Sequence, residues 1–427
     1  MALVELCDYE PLKCGQIAAY ELNHNSPSVR IAALQVFQKI DDQQWLITVS
    51  RYLEDEDIAV RQQAAKTLSC YGNQGLAVSR YYLLSSRPEV VKSAILAIGL
   101  VRTKTAENIL YNFIQSDLKL INRTRIWQQH IDADNSLFEM LQVAIIDYQN
   151  SIIERVFYIL SSLGQESTVN AAKVLLSSSD KRARSHAVET LVSLKQGRFL
   201  RPLMPLLEKM ATGENLTASQ GISNIKKYSV LLEVLETNNH WLKMGALMAF
   251  AGIPGAIAQS DPDPIISKIA QSLVLKPQQL SISENFMIDR LLLLKNVSLF
   301  QTLSLDEILL IDNALESAEY LPGEIIFSEG TLGERFYIIV QGKVRIVREV
   351  EGEEKELALL EAGQHFGEIS LFEDFLRSAN AIAAEHCVLL TLEKTRFVSL
   401  VTQRPQILWE ICKFLSQRLR DVNLTAR

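Results

Sequence analysis

The sequence predicts a two-domain chain: an all-α solenoid over residues 1–283, then a small β-barrel or jelly roll with flanking helices over residues 284–427. Three observations carry this reading. A short motif recurs every 31 residues in the first part. From about residue 284, short β-branched and aromatic runs alternate with glycines. The charge shifts at about the same place: residues 295–427 hold 14 Lys+Arg against 21 Asp+Glu, whereas residues 1–294 balance at 29 and 29.

The repeat is read from Val29-Arg30, Val60-Arg61 and Val91-Lys92, with Ala33 and Ala64, then Phe37 and Leu68, following at fixed offsets. Ser26-Pro27 supplies a cap and a proline at the first helical position, and Asp57 takes the place of Ser26. A period of about 31 with small residues on one helical face means stacked helix pairs, the alanines allowing close approach. The arginine is expected to be structural, reaching an acidic residue of the adjacent turn. Ala183-Arg184, Ala187 and Leu191 repeat the pattern further on, whereas residues 105–150 show no clear repeat and are expected to form long, irregular helices.

In the second part, Asp289 to Leu303 reads as a leucine-rich helical link, and Ser304 caps a further helix. Strands are expected at 323–327, 335–340, 343–350, 355–360 and, as one run, 381–392, punctuated by Gly323, Gly330, Gly333, Gly342, Gly352, Gly363 and Gly367. Helices return at 394–403 and 405–423.

Several function classes are excluded. The uncharged stretch Met244 to Ser260 is interrupted by Gly245, Gly252, Pro254 and Gly255, so it reads as two helical pieces and not as a membrane span. The acidic start MALVELCDYE is no signal peptide. Five scattered cysteines without a CxxC pair fit a reducing cytoplasm, and dispersed histidines give no metal cluster. Neither part has the basic face that a nucleic-acid binder needs. No Walker loop, GxSxG or other catalytic signature occurs, so the chain is expected not to be an enzyme.

The functional signal lies in Phe366-Gly367-Glu368-Ile369-Ser370-Leu371 and Arg377-Ser378-Ala379. A Gly-Glu turn ends a strand and opens a short helix, whose N-terminal N–H groups favour an anion. Arg377, nine residues after Glu368, adds a planar fork of donors that matches a phosphate, and Glu368 offers an acceptor to a ribose hydroxyl. Phosphate and ribose read together point to a nucleotide.

These residues, with LFQTLSLDEI (299–308), LPGEIIFSEG (321–330) and FYIIVQGKVRI (336–346), resemble the cyclic-nucleotide-binding domain family over about 297–423. The resemblance implies that Arg377 pairs with the cyclic phosphate of cAMP or cGMP and Glu368 with the 2′-hydroxyl. Phe366, Gly367, Ile369, Ser370 and Ala379 are then wall, backbone or small-residue contacts. Ser378 sits where the family tunes base choice, and Trp409 is a candidate lid over the base. Asp374-Phe375-Leu376 stands where the family often carries a Gly and a Pro, and Asn380 replaces a Thr or Ser. The first part resembles HEAT repeats at 24–40, 55–72 and 180–195. The whole arrangement resembles the soluble region of bacterial nucleotide-transporter-like proteins, although no membrane domain is present in this sequence.

The resemblance implies a cytoplasmic regulatory protein that binds a cyclic nucleotide and shows its solenoid to a protein partner, with no metal and no nucleic acid. Two alternatives stand beside it. One is an interaction scaffold whose cyclic-nucleotide fold is silent. The other is the soluble limb of a membrane transporter, which would place the chain at a membrane through its partner. The basic run Lys181, Arg182, Arg184, Lys195, Arg198 and Arg201 is expected to form a solvated helix face with an inter-repeat ladder.

Overall fold

The computed structural model describes residues 7–131, 138–178, 180–213, 224–249, 282–350 and 353–425. Its contacts gather into two compact units, residues 1–131 with 148–222, and residues 132–147 with 223–427. Compactness therefore cuts the chain at different places from the change of sequence pattern near residue 284.

The first unit is built from helix pairs. Pro27–Ile40, Ile58–Cys70 and Pro88–Leu100 carry the repeated motif. Pro27 and Pro88 occupy the first helical turn and the Asp57 carboxylate accepts from the N–H groups of Ala59 and Val60, whereas the Ser26 side chain, expected as a cap, takes no capping hydrogen bond. Ala33, Ala64 and Ala94 are all buried, as are Phe37, Leu68 and Ile98 one turn on. Polar side chains tie one repeat to the previous one: Thr67 Oγ1 donates to the Leu34 carbonyl and Tyr52 OH to that of Leu22.

Arg30 fulfils the structural expectation. Its Nε and Nη2 donate to both carboxylate oxygens of Asp55 at 2.9 and 2.8 Å, and Nη1 donates to the carbonyls of His24 and Asn25. Both side chains are more than nine-tenths buried, at 8% and 7% exposure. The stretch without a visible repeat forms the long helices Lys104–His130 and Glu139–Leu160, the latter running from one unit into the other. In the basic run, Arg184 donates to the carbonyls of Ser178 and Ala211, and Arg198 pairs with Glu107 at 2.8 Å while lying over the Tyr111 ring. These are ladder contacts between repeats.

In the second unit the helices Asn224–Leu235, His240–Ala249, Ile282–Asn296 and Leu305–Ala314 precede the sheets. Ser304 caps the last of these through a capping box with Glu307. The Leu305 N–H donates to Asp147, and Trp241 Nε1 donates to Asp306 at 2.8 Å. Burial pushes the Asp147 carboxyl up to about 6, against the opposing pull of Lys295. Its folded value lies above its ordinary 3.8, so the folded state holds the proton more tightly between these values. Stability is then expected to fall as pH rises from about 4 to about 6. Asp147→Asn should flatten that slope in urea titrations at pH 4.5 and 7; an unchanged slope would assign the dependence to other groups.

Eight strands follow, in two antiparallel four-stranded sheets. They are β1 Glu316–Tyr320, β2 Ile325–Phe327, β3 Arg335–Gln341, β4 Val344–Val350, β5 Glu353–Leu360, β6 His365–Phe366, β7 Asn380–Ala383 and β8 Cys387–Glu393. The sheets are ordered β1-β8-β3-β6 and β2-β7-β4-β5. The run expected as one strand at 381–392 is two, because the chain leaves one sheet after Ala383 and enters the other at Cys387. Tyr337, Ile339, Val344, Phe366, Ala381 and Leu389 form the shared core. The helices Lys394–Gln403 and Pro405–Thr425 close the described chain.

Candidate ligand-binding site

The cassette lies between β6 and β7. β6 ends at Phe366, whose ring stacks on Tyr337 at 5.0 Å with 6° between the planes. Gly367 then adopts φ +75, a left-handed conformation that favours glycine, and a Cβ there would crowd Arg377 Nη1 at 2.6 Å. The short helix Ile369–Phe372 follows.

Arg377 is half-buried and in no ion pair among the described residues. Nη2 donates to the Arg335 carbonyl at 2.6 Å and Nη1 weakly to the Gly367 carbonyl at 3.4 Å. Nε is buried without a hydrogen-bond partner. Burial draws the guanidinium below its ordinary value, with Tyr337 and Glu368 acting the other way. It stays a cation at neutral pH, since arginine is not deprotonated in proteins. The half-buried Glu368 carboxylate acts on Arg377 through space and takes no hydrogen bond among the described residues. A partly desolvated cation in no ion pair, near a carboxylate that takes no hydrogen bond, suits a ligand that carries a phosphate beside a hydroxyl.

The other expected site residues divide by role. The Ser370 hydroxyl is buried within hydrogen-bond reach of the same two carbonyls, 2.6 Å from that of Gly367 and 3.0 Å from that of Arg335, so its single O–H pins the turn. Ala379 is buried, Ile369 is 59% exposed and Ser378 is exposed. Trp409 stands 62% exposed on Pro405–Thr425, in no core, and no described contact joins it to Arg377 or Glu368.

Sequence reasoning missed the surroundings of the arginine. The arm 376–380 is fastened to the loop 328–332: Gly330 N donates to the Arg377 carbonyl, Arg377 N to that of Thr331, and Leu332 bridges to Leu376. The Asn380 amide oxygen accepts from Glu329 N at 2.8 Å, which gives this departure from the family pattern a structural task. Arg348 on β4 donates to the Ser378 carbonyl and pairs with Glu329. Gly333 also faces the site, since a Cβ there would meet Ser370 at 2.7 Å and Arg377 Cζ at 3.2 Å. Its position two residues before β3 was the available signal.

Two four-stranded antiparallel sheets with flanking helices hold this site. The C-terminal region is a cyclic nucleotide-binding domain, matched by the family model over residues 318–404, and the N-terminal region carries HEAT repeats, matched over residues 17–85. The cyclic AMP receptor protein of Thermus thermophilus is 36% identical over 132 residues, 31% of this chain and 61% of that protein. Human cGMP-dependent protein kinase 2 is 33% identical over 133 residues, 30% of this chain and 17% of the kinase. Among solved structures, the Thermus thermophilus catabolite activator protein is 35% identical, covering 30% of this chain and 61% of that one, with a TM-score of 0.28. The chain thus spans less than two thirds of the length of these relatives. Among the described residues no helix is long and apolar enough to cross a membrane.

Proposed function

We propose that this chain is a non-enzymatic, cyclic-nucleotide-responsive regulatory protein. Its C-terminal domain binds cAMP or cGMP, and its helical repeats offer a surface to a protein partner. The observation that carries the reading is the half-buried Arg377, unpaired among the described residues, beside a Glu368 carboxylate with no hydrogen bond of its own. The named activities of the relatives, cyclic AMP reception and cGMP-dependent kinase action, support the ligand class. By the family resemblance, Ser378 weakly favours cAMP over cGMP. The exposed Trp409 helix is the candidate mover: a lid that touches only the liganded state supplies the differential affinity that a switch requires.

Calorimetric titration of the full chain with cAMP and with cGMP tests the reading. One site per chain is expected for at least one of them, with tighter binding of cAMP. Heats of dilution alone from both would leave the fold as a silent scaffold.

A further inference from the structure

Arg377 is held by its face as well as by its edges. Its Cζ lies 4.0 Å from the centroid of the Phe327 ring and 5.8 Å from that of Tyr337. Phe327 ends β2 where the register with β7 shifts, and its cross-strand neighbour is Ala381, which leaves room for a large ring. The ring is itself braced by Tyr337 at 5.7 Å and Phe366 at 5.9 Å. Gly333 and Gly367 also border the guanidinium, where a Cβ would stand 3.2 Å from Cζ and 2.6 Å from Nη1. The guanidinium therefore sits in a slot with an aromatic floor.

We propose that Phe327 is the positioning residue of this anion pocket, its ring fixing the plane of the Arg377 guanidinium so that the donor edge meets the phosphate. Its ligand-binding consequence rests on the function proposed above. A cation over a ring face is attracted to the ring quadrupole, and more strongly as water is excluded. The half-buried guanidinium meets that condition. Leucine would keep the apolar volume beside Tyr337 and Phe366 but would remove the quadrupole and the flat floor. The long arginine chain would then sample orientations that no longer aim both donors at one anion.

The test compares Phe327→Leu and Phe327→Tyr in the full chain. Calorimetry with cAMP should show about tenfold weaker binding for Phe327→Leu, and binding within threefold of wild type for Phe327→Tyr, which keeps the ring. Wild-type affinity in the leucine variant, or equal loss in the tyrosine variant, overturns the proposal. Should Phe327→Leu fail to fold by thermal melting, Phe327→Met takes its place in the comparison. A ligand-free readout separates this proposal from the function it rests on. With 15N-labelled arginine, the Arg377 Nε–Hε resonance, assigned by its loss in Arg377→Lys, should lie upfield from the ring current. It should move downfield in Phe327→Leu and stay in Phe327→Tyr. If wild type binds neither nucleotide, the proposed function fails while this signal still decides whether the ring orients the arginine; a resonance that does not move overturns it.

Discussion

Arg377→Ala is expected to weaken cyclic-nucleotide binding by about 2–4 kcal/mol, the range for removing one partner of a sequestered charge pair. Replacing Arg377 removes both the charge and the planar fork of donors from the site. Arg377→Lys should recover part of the loss, because an ammonium keeps the charge but not the planar fork. Calorimetry gives both affinities, and melting curves check that the loss of packing on Phe327 has not unfolded the domain. Undiminished affinity in the alanine variant would remove Arg377 from phosphate recognition altogether.

Arg30→Ala is expected to cost the repeat unit about 3–5 kcal/mol. It leaves the Asp55 carboxylate, 7% exposed, as an uncompensated buried charge. It also strips the donors from the carbonyls of His24 and Asn25. Arg61, which donates only to the carbonyls of Asp55 and Glu56, should cost less when replaced by alanine. The double change Arg30→Met with Asp55→Leu should recover much of the loss, since it replaces the pair by apolar groups. Trp45 packs on the same core, so its fluorescence in urea reports this unit. Equal midpoints for Arg30→Ala and wild type would show that the buried pair is energetically silent.

Much of this was legible in the sequence because it is written locally. Pro27, Asp57 and Pro88 start helices through their own chemistry, and the glycines between strands mark turns whatever lies around them. Gly367, Glu368 and Arg377 lie close enough in sequence to form a motif. What escaped depends on distant approach. β1, with its acidic and mostly exposed residues, acquires strand geometry only by pairing with β8, seventy residues on. β6 is two residues long. Phe327 read as one more apolar strand residue, because nothing local announces a cation arriving from fifty positions away. The association of residues 139–147 and 224–249 with the second unit rests on contacts such as Leu305 to Asp147, which no periodicity reveals.

The fastening between 376–380 and 328–332 has a mechanical consequence. Arg377 is anchored by its own N–H and carbonyl to Thr331 and Gly330, on either side of which sit the Glu329–Asn380 bond and the Leu332–Leu376 bridge. The arm and the loop therefore form one riveted plate. A ligand held by the guanidinium would thus load the arm and the loop together. Arg348 ties both halves of the plate to β4, donating to the Ser378 carbonyl of the arm and pairing with Glu329 of the loop. Occupancy of the pocket would then be felt on a surface that the nucleotide never touches.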